Sequence, residues 1–191
     1  MLTQKSKTAL NVVALLAAVK QSLKIDTSDE DTDLTALMQE TVDVIEKDTN
    51  VDITPTIWEW TGRFSYDEHL NYHDLPCIVL PRGPLVSINA IHYYDREDTL
   101  TAWTEYYLSK SDFTLGFITP QKYWPHTSRR PDAVVINFTT GYSSIPLNAM
   151  RAIKLQCGTW HEHREGETEA RINPQLWGFD RLLSQIRMGG Y

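Results

Sequence analysis

Two histidines and two glutamates fall within five consecutive positions, 161–165, which read HEHRE. Imidazole and carboxylate groups are zinc ligands, and the preceding residues have the apolar spacing of a helix, so this run is the first candidate for a metal site. On a helix, however, His161 and His163 point about 200° apart and cannot share one ion. His161 does share a face with Glu165, but zinc takes three or four protein ligands and this pair supplies two. We therefore interpret HEHRE as a polar helix end and predict no metal.

The other residues that could support catalysis are scattered along the chain. The remaining histidines lie in predicted loops or strands: His69, His73, His92 and His126. There is no glycine-rich phosphate loop and no G-x-S-x-G nucleophile motif. Cys77 and Cys157 lie in apolar segments without a catalytic signature, which indicates buried free thiols. The sequence thus predicts neither an enzyme nor a cofactor; a small metal-dependent hydrolase using His161, Glu165 and one loop histidine is the alternative.

Composition and charge set further limits on function. Lys and Arg total 18 against 25 Asp and Glu, a formal net charge of -7, and no arginine-rich run occurs. This balance disfavours a protein that grips nucleic acid through its phosphates, because such binding draws on clustered cations. The apolar run 10–20 is shorter than the roughly 20 residues that span a bilayer. We therefore predict a packed helix there, no membrane association, and synthesis in the cytoplasm.

Hydrophobic periodicity predicts helices at both ends of the chain and strands in the middle. The predicted helices cover 10–23, 27–50, 144–165 and 174–187. The second has Thr27 or Ser28 as its capping residue, and Pro146 lies in the first turn of the third. Between 53 and 142, runs rich in β-branched and aromatic residues are separated by Pro, Gly, Asp and Asn clusters, which is typical of antiparallel strands.

These elements together predict an α+β fold. Its N-terminal helices (1–52) and C-terminal helices (144–191) form a helical bundle, and a β-rich antiparallel insertion (53–143) lies between them in the chain.

Several features interrupt the predicted strands. Two stretches, 65–76 and 112–132, have no clear strand pattern. The second contains more aromatic residues than a solvated loop usually carries: Phe113, Phe117, Tyr123 and Trp124. Apolar alternation slips between Ala90 and Ile91, which predicts a bulge. The prolines of LPRGP, residues 80–84, predict a stiff corner between two strands.

The order of motifs along the chain resembles that of the head-to-tail connector proteins of tailed bacteriophages, also called adaptor or head-completion proteins. The motifs are VKQSLKIDTSDEDTDL, IVLPRGPLVSINAIHYYD, a WP pair, VVINFTTGYSSIP, AIKLQCGTWHEHRE and LLSQIR. Together they extend from about Val19 to Arg187. No single motif is diagnostic, and the resemblance depends on their order and spacing.

This resemblance implies a non-enzymatic virion protein at the capsid vertex or neck, made in the host cytoplasm. It would form a ring, of twelve copies by the family pattern, beneath the portal protein. The ring would extend the DNA channel, through which genomic DNA passes without sequence-specific binding, and would dock neck or tail-completion proteins. The acidic balance suits such a channel, since carboxylates repel phosphates. A tail-terminator or another neck protein with a similar ring is an alternative within the same class.

Candidate interface residues lie in three segments, with a polar cluster in addition. The corner supplies Leu80, Pro81, Arg82, Gly83 and Pro84. The aromatic stretch supplies Phe113, Phe117, Tyr123, Trp124 and Pro125. The C-terminal segment 174–191 supplies Trp177, Arg187 and Tyr191, as a contact with the portal. The candidate polar cluster between subunits is His161, Glu162, His163, Arg164 and Glu165. Because aromatic side chains dominate interface hot spots, Trp124→Ala is expected to weaken assembly and leave thermal stability nearly unchanged.

Overall fold

The structure, a computed structural model, describes residues 1–64, 71–72, 75–110, 116–162 and 174–187. Within these residues the fold contains α-helices and antiparallel strands, which confirms the predicted α+β class. The chain divides into two compact units. A sheet unit contains residues 1–8 and 54–143, and a helical unit contains residues 9–53 and 144–187. Residues 1–8, which the sequence-based division counted with the N-terminal helices, belong to the sheet unit.

The described part of the helical unit consists of four helices: α1 (Val12–Leu23), α2 (Asp31–Thr49), α3 (Leu147–Glu162) and α4 (Pro174–Ile186). α1 begins where the Asn11 side chain accepts a hydrogen bond from the Ala14 amide, 3.4 Å away. α2 begins three residues after the predicted Ser28 cap. The reason is a turn, in which the Asp31 amide donates to the Ser28 carbonyl oxygen at 3.2 Å. The prediction that Thr27 or Ser28 caps this helix is therefore wrong.

Each helix buries an apolar face in the core of the helical unit. The buried residues include Leu15, Val19, Leu34, Met38, Val42, Ile45, Ala149, Ala152, Ile153, Cys157, Phe179, Leu183 and Ile186. Polar contacts fix the connections: the Lys20 ammonium donates both to the Thr27 carbonyl oxygen and to the Asp31 carboxylate, each at 2.6 Å. The chain that follows α2 is held by the buried Glu46 of that helix, whose carboxylate accepts a hydrogen bond from the Ile53 amide at 2.9 Å. None of the described helices is both long enough and apolar enough to cross a membrane.

The described strands of the sheet unit are β1 (Leu2–Lys7), β2 (Thr56–Gly62), β3 (Asn71–Tyr72), β4 (Leu75–Pro76), β5 (Ile78–Val79), β6 (Leu85–Tyr94), β7 (Leu100–Ala102), β8 (Tyr106–Lys110), β9 (Gly116–Pro120) and β10 (Val134–Thr140). They form a five-stranded sheet in the order β1-β2-β10-β6-β7, a three-stranded sheet in the order β5-β9-β8, and the hairpin β3-β4. All pairings are antiparallel. The central strand β10 alternates strictly between buried and half-buried residues, which is the pattern of a strand with one face on the core.

An aromatic cluster lies in the core of the sheet unit. Phe64 stacks on Trp124 with ring centroids 4.6 Å apart and meets the edge of Trp103 at 5.3 Å. Trp103 and Trp124 are 5.4 Å apart. Around these rings pack aliphatic residues of both sheets, among them Leu80, Ile118 and Ile136.

Five of the described strands were not predicted from the sequence: β1, β3, β4, β7 and β9. β9 lies inside the stretch 112–132, which was predicted to be irregular; four of its five residues are buried, so it lacks the alternation that marks a half-buried strand. β1 is an edge strand whose residues are mostly polar and exposed. The predicted bulge is present but one residue earlier: Ala90 pairs with Asn137 and Ile88 with Phe138, so Asn89 is the extra residue.

Candidate functional site

The corner at residues 80–84 is held at both ends by backbone hydrogen bonds. The Leu80 amide donates to the Gly116 carbonyl oxygen, and the Pro84 carbonyl oxygen accepts from the Gly141 amide, each at 3.0 Å. The Gly83–Pro84 peptide bond is cis. Leu80 itself is fully buried in the aromatic core. The prediction that Leu80 contacts a partner is therefore wrong for this side chain, because it is a core residue.

The exposed part of the corner is Pro81, followed by the half-buried Arg82. The Arg82 guanidinium lies over the Trp58 ring, 4.9 Å from its centroid, in a cation–π contact. The aromatic ring of a neighbouring strand thus orients Arg82 beside Pro81. Pro81, Arg82 and the half-buried Pro84 form the accessible surface of the corner, whereas Gly83, like Leu80, is buried.

The aromatic stretch is divided between core and surface. Phe117 is 1% exposed and Trp124 is 6% exposed, and both pack in the sheet unit. The prediction that these two rings are interface anchors is wrong, since an interface residue of the free chain must be accessible. Tyr123 is 87% exposed, and Pro125 is half-buried. Phe113 lies outside the described residues.

A second exposed aromatic residue, Tyr107 on β8, was not among the predicted candidates. β8 forms one edge of the three-stranded sheet. Tyr106 packs against the core cluster, and because successive side chains of a strand point to opposite faces, Tyr107 points away from it. The alternation in TEYYLS could have identified it. Tyr107, Tyr123 and Pro81 are accessible candidates for a docking surface of the sheet unit. Other exposed hydrophobic residues of this unit include Met1, Val86 and Leu100.

Of the two histidines in HEHRE, the structure describes His161, and the ring of this residue has a partner within the chain. His161 Nε2 lies 2.6 Å from Glu30 Oε2, which links the end of α3 to the start of α2. The His161 side chain keeps 22% of its exposure in this contact, and its place in an intersubunit cluster stays a prediction. The Glu162 side chain and residues His163, Arg164 and Glu165 lie outside the described residues.

No group of three or more His, Cys, Asp or Glu side chains in the described ranges is arranged to hold a metal ion.

The C-terminal candidates are only partly described. Arg187 is exposed just after α4, and its amide donates to the Leu183 carbonyl oxygen at 2.7 Å. The Trp177 side chain and Tyr191 lie outside the described residues.

Both cysteines are buried free thiols, as the sequence predicted. Cys157 Sγ lies 3.5 Å from Thr41 Oγ1 between α3 and α2. Burial raises the pKa of the Cys157 thiol above its ordinary value, and the contact with Thr41 opposes this shift only in part.

Because the thiolate is the reactive form, a raised pKa and burial both slow modification. We expect the native protein at pH 8 to react with a chromogenic disulfide reagent at least about tenfold more slowly than the denatured chain. Cys77→Ser and Cys157→Ser variants assign the two thiols. Rapid labelling of Cys157 in the native state would show that α2 and α3 separate readily.

Comparisons with known proteins identify the fold. The sequence matches no protein-family model and no curated protein. A chain in the neck of an empty GTA particle computed with C6 symmetry has a TM-score of 0.75 and 20% identity, and the match covers 100% of this chain and 97% of that chain. The protein has the fold of a particle-neck chain.

Two further structures share this fold with the same coverage. A chain in the virion of a native gene transfer agent (GTA) particle has a TM-score of 0.73 and 20% identity. A chain in the neck of a native GTA particle computed with C12 symmetry has a TM-score of 0.71 and 18% identity. These neighbours are consistent with the resemblance of the sequence to head-to-tail connectors.

Proposed function

We propose that this chain is a structural, non-enzymatic component of the connector between head and tail of a tailed, DNA-containing particle. The observation that carries the proposal is the likeness of the fold over 100% of this chain to a chain of a particle neck. One fold can serve several functions. The order of sequence motifs, which resembles that of phage connectors, is therefore an important second support.

The proposed assembly is a ring of twelve copies beneath the portal protein. The neighbouring neck structures were computed with C6 and C12 symmetry, and twelve copies satisfy both. A closed ring of identical subunits needs head-to-tail contacts, in which each copy offers two different patches. Genomic DNA would pass through the ring, and the net charge of -7 suits a channel that does not retain it.

Two surfaces are proposed for docking other proteins of the particle. Three accessible residues of the sheet unit, Tyr107, Tyr123 and Pro81, are candidates for contact with neck or tail-completion proteins. Segment 174–191 is the candidate contact with the portal, and the exposed Arg187 is its best described member.

The decisive experiment removes the chain from a particle-producing strain. We expect DNA-filled heads without tails to accumulate, because the platform for the tail would be missing. Negative-stain microscopy counts tailed and tailless heads, and a plasmid copy of the wild-type gene provides the matched control. Symmetry-averaged cryo-electron microscopy of complemented particles should then show twelve copies directly below the portal.

Other outcomes would overturn this proposal. Normal tailed particles without the chain would exclude a connector role, and density at the far end of the tail tube would identify a tail terminator. Stoichiometric zinc together with hydrolase activity in the purified protein would favour the metal-dependent alternative.

A further inference from the structure

Strand β8 is an open edge of the three-stranded sheet β5-β9-β8. Among the described strands it pairs only with β9, and the register runs without a shift from Tyr106 opposite Pro120 to Lys110 opposite Gly116. On the other side of β8, no described residue forms a hydrogen bond with its backbone. An edge strand of this kind keeps a row of backbone donors and acceptors with which another strand can pair.

The hydrogen bonds around β9 determine which backbone groups of β8 point outward. The Gln121 amide donates to the Glu105 carbonyl oxygen at 3.0 Å. Because bonded and non-bonded pairs alternate along an antiparallel ladder, the odd-numbered residues of β8 bond to β9. Pro120, which has no N–H, lies opposite Tyr106, as this alternation requires. The amide and carbonyl groups of Tyr106 and Leu108 therefore point away from β9.

The other described edge strands are short or interrupted. β3, β4 and β5 have two residues each, and β7 has three. β1 has six residues, but its register shifts between Gln4 and Ser6. It also carries Lys5 and Lys7. Short length, bulges and lysines all hinder the pairing of a sheet edge with another chain. β8 has five residues, no register shift and one lysine at its last position, so it is the edge best suited to pairing.

Apolar side chains flank this open edge on both faces of the strand. Tyr107 is 60% exposed and Leu108 is 37% exposed, and consecutive residues of a strand point to opposite faces. A strand paired with β8 would lie about 4.8 Å away, where its own side chains contact those of β8. The edge therefore suits an extended segment with apolar residues on both of its faces.

The proposed ring disfavours a second copy of this chain as the source of that segment. If β8 paired with β8 of another copy, both copies would use the same patch, and such an isologous contact closes at two subunits. A ring instead repeats a contact between two different patches. β1 is the one other described edge longer than three residues, and its bulge and lysines oppose pairing.

We propose that β8 binds an extended segment of a different protein of the particle, which pairs with it as a fourth strand of the sheet β5-β9-β8. This inference rests on the proposed connector function and gives the binding mode of the docking surface to which Tyr107 belongs. Backbone hydrogen bonds to Tyr106 and Leu108 would supply affinity, and contacts with Tyr107 and Leu108 side chains would supply specificity.

Proline at position 108 tests the backbone contact. Because the Leu108 amide points away from β9, Leu108→Pro removes an outward donor without breaking a bond to β9, and its ring obstructs the docked strand. The variant is expressed in the strain that lacks the wild-type gene, and quantitative mass spectrometry measures each protein per purified head. We expect this chain to stay at its wild-type level. The neck or tail-completion protein that docks next should fall by at least about tenfold.

Two further variants are matched to this one. Leu108→Ala shortens the same side chain but keeps the amide donor, so the docking protein should stay near its wild-type level. Ser109→Pro removes an amide that bonds to β9 by the same alternation, so it should lower Tm, whereas Leu108→Pro should melt like the wild type. Thermal melts of the purified variants make this comparison.

A photo-cross-linking residue identifies the occupant directly and does not depend on the folding of a proline variant. We place p-benzoylphenylalanine at the exposed position 109 in assembled particles and map the cross-linked peptide by mass spectrometry. The expected product joins β8 to a peptide of a different particle protein. The same probe at the exposed position 129, away from β8 in the sequence, is the control and should not capture that peptide.

Several results would overturn this inference. Normal docking with a folded Leu108→Pro protein, or an equal loss with Leu108→Ala, would exclude a backbone contact at this edge. A cross-link to a second copy of this chain, or none to another protein, would reject the proposed occupant, as would loss of folded Leu108→Pro protein itself from the heads. Absence of the wild-type chain from particles is a separate result, since it would reject the connector role and this contact with it.

Discussion

Replacing Gly141 by alanine is expected to lower the free energy of unfolding by about 3 kcal/mol or more. Gly141 follows β10 and has a φ of +106°, a conformation that L-residues rarely adopt. A Cβ atom there would lie 2.3 Å from the Thr54 carbonyl oxygen and 2.6 Å from its carbonyl carbon. These obstacles are backbone atoms, so no rotation of a side chain can relieve the overlap.

The position of Gly141 cannot shift easily either. Its amide donates to the Pro84 carbonyl oxygen at 3.0 Å, which ties β10 to the corner before β6. Moving Gly141 would break this bond and disturb the pairing of β10 with β6 in the five-stranded sheet. We therefore expect the cost of the steric overlap and the cost of the backbone strain to add in the free energy of unfolding.

Thermal unfolding followed by circular dichroism measures this effect. For a chain of this size, a loss of about 3 kcal/mol corresponds to a decrease in Tm of roughly 6–12 °C. Gly178→Ala is the matched control, since its Cβ would make ordinary contact at 3.6 Å inside a helix, where alanine is favoured over glycine by up to about 1 kcal/mol. A Gly141→Ala protein with wild-type Tm would show that the turn after β10 is more adaptable than its contacts indicate.

The helices and the central strands were predictable because their patterns are local. α3 and α4 begin and end close to the predicted limits, since their apolar residues recur at helical spacing and Pro146 precedes the first turn of α3. β10 alternates between buried and half-buried residues along its whole length. In each case, the pattern that predicts the helix or strand lies within the residues of that same helix or strand.

The candidate site was less predictable because its contacts join distant parts of the chain. The partner of His161 is Glu30, 131 residues earlier, and no spacing rule indicates that pair. β9 was hidden because burial of Gly116, Phe117, Ile118 and Thr119 removes the alternation that marks a strand. The aromatic residues of 112–132 were a valid signal, but two of them, Phe117 and Trp124, pack in the core, whereas the sequence predicts a docking loop there.

Trp124→Ala is expected to destabilise the protein by about 3–5 kcal/mol, while Tyr123→Ala should change stability by less than about 0.5 kcal/mol. The two residues are neighbours in sequence with opposite environments: Trp124 is 6% exposed and Tyr123 is 87% exposed. The Trp124 ring stacks on Phe64 at 4.6 Å and lies 5.4 Å from Trp103, so alanine would leave a large cavity inside the aromatic cluster.

A third variant, Trp124→Phe, separates ring packing from the indole nitrogen. Trp124 Nε1 is buried and has no hydrogen-bond partner among the described residues, so phenylalanine removes an unsatisfied polar group while it retains an aromatic ring. We expect its cost to stay below about 2 kcal/mol. Thermal and urea unfolding of the three variants should therefore rank them Trp124→Ala, Trp124→Phe and Tyr123→Ala, from least to most stable.

The same variants also test where the accessible surface of this segment lies. Tyr123→Ala should fold like the wild type yet be incorporated less into particles, because an exposed aromatic side chain is a typical interface hot spot worth about 2 kcal/mol or more. Copies per particle, measured by quantitative mass spectrometry, compare it with the wild type. If Trp124→Ala melted like the wild type and failed only in assembly, the ring of Trp124 would have to lie at an interface, and the core packing described above would be wrong. If Tyr123→Ala assembled normally, the docking surface of the sheet unit would depend on Tyr107 and Pro81 instead.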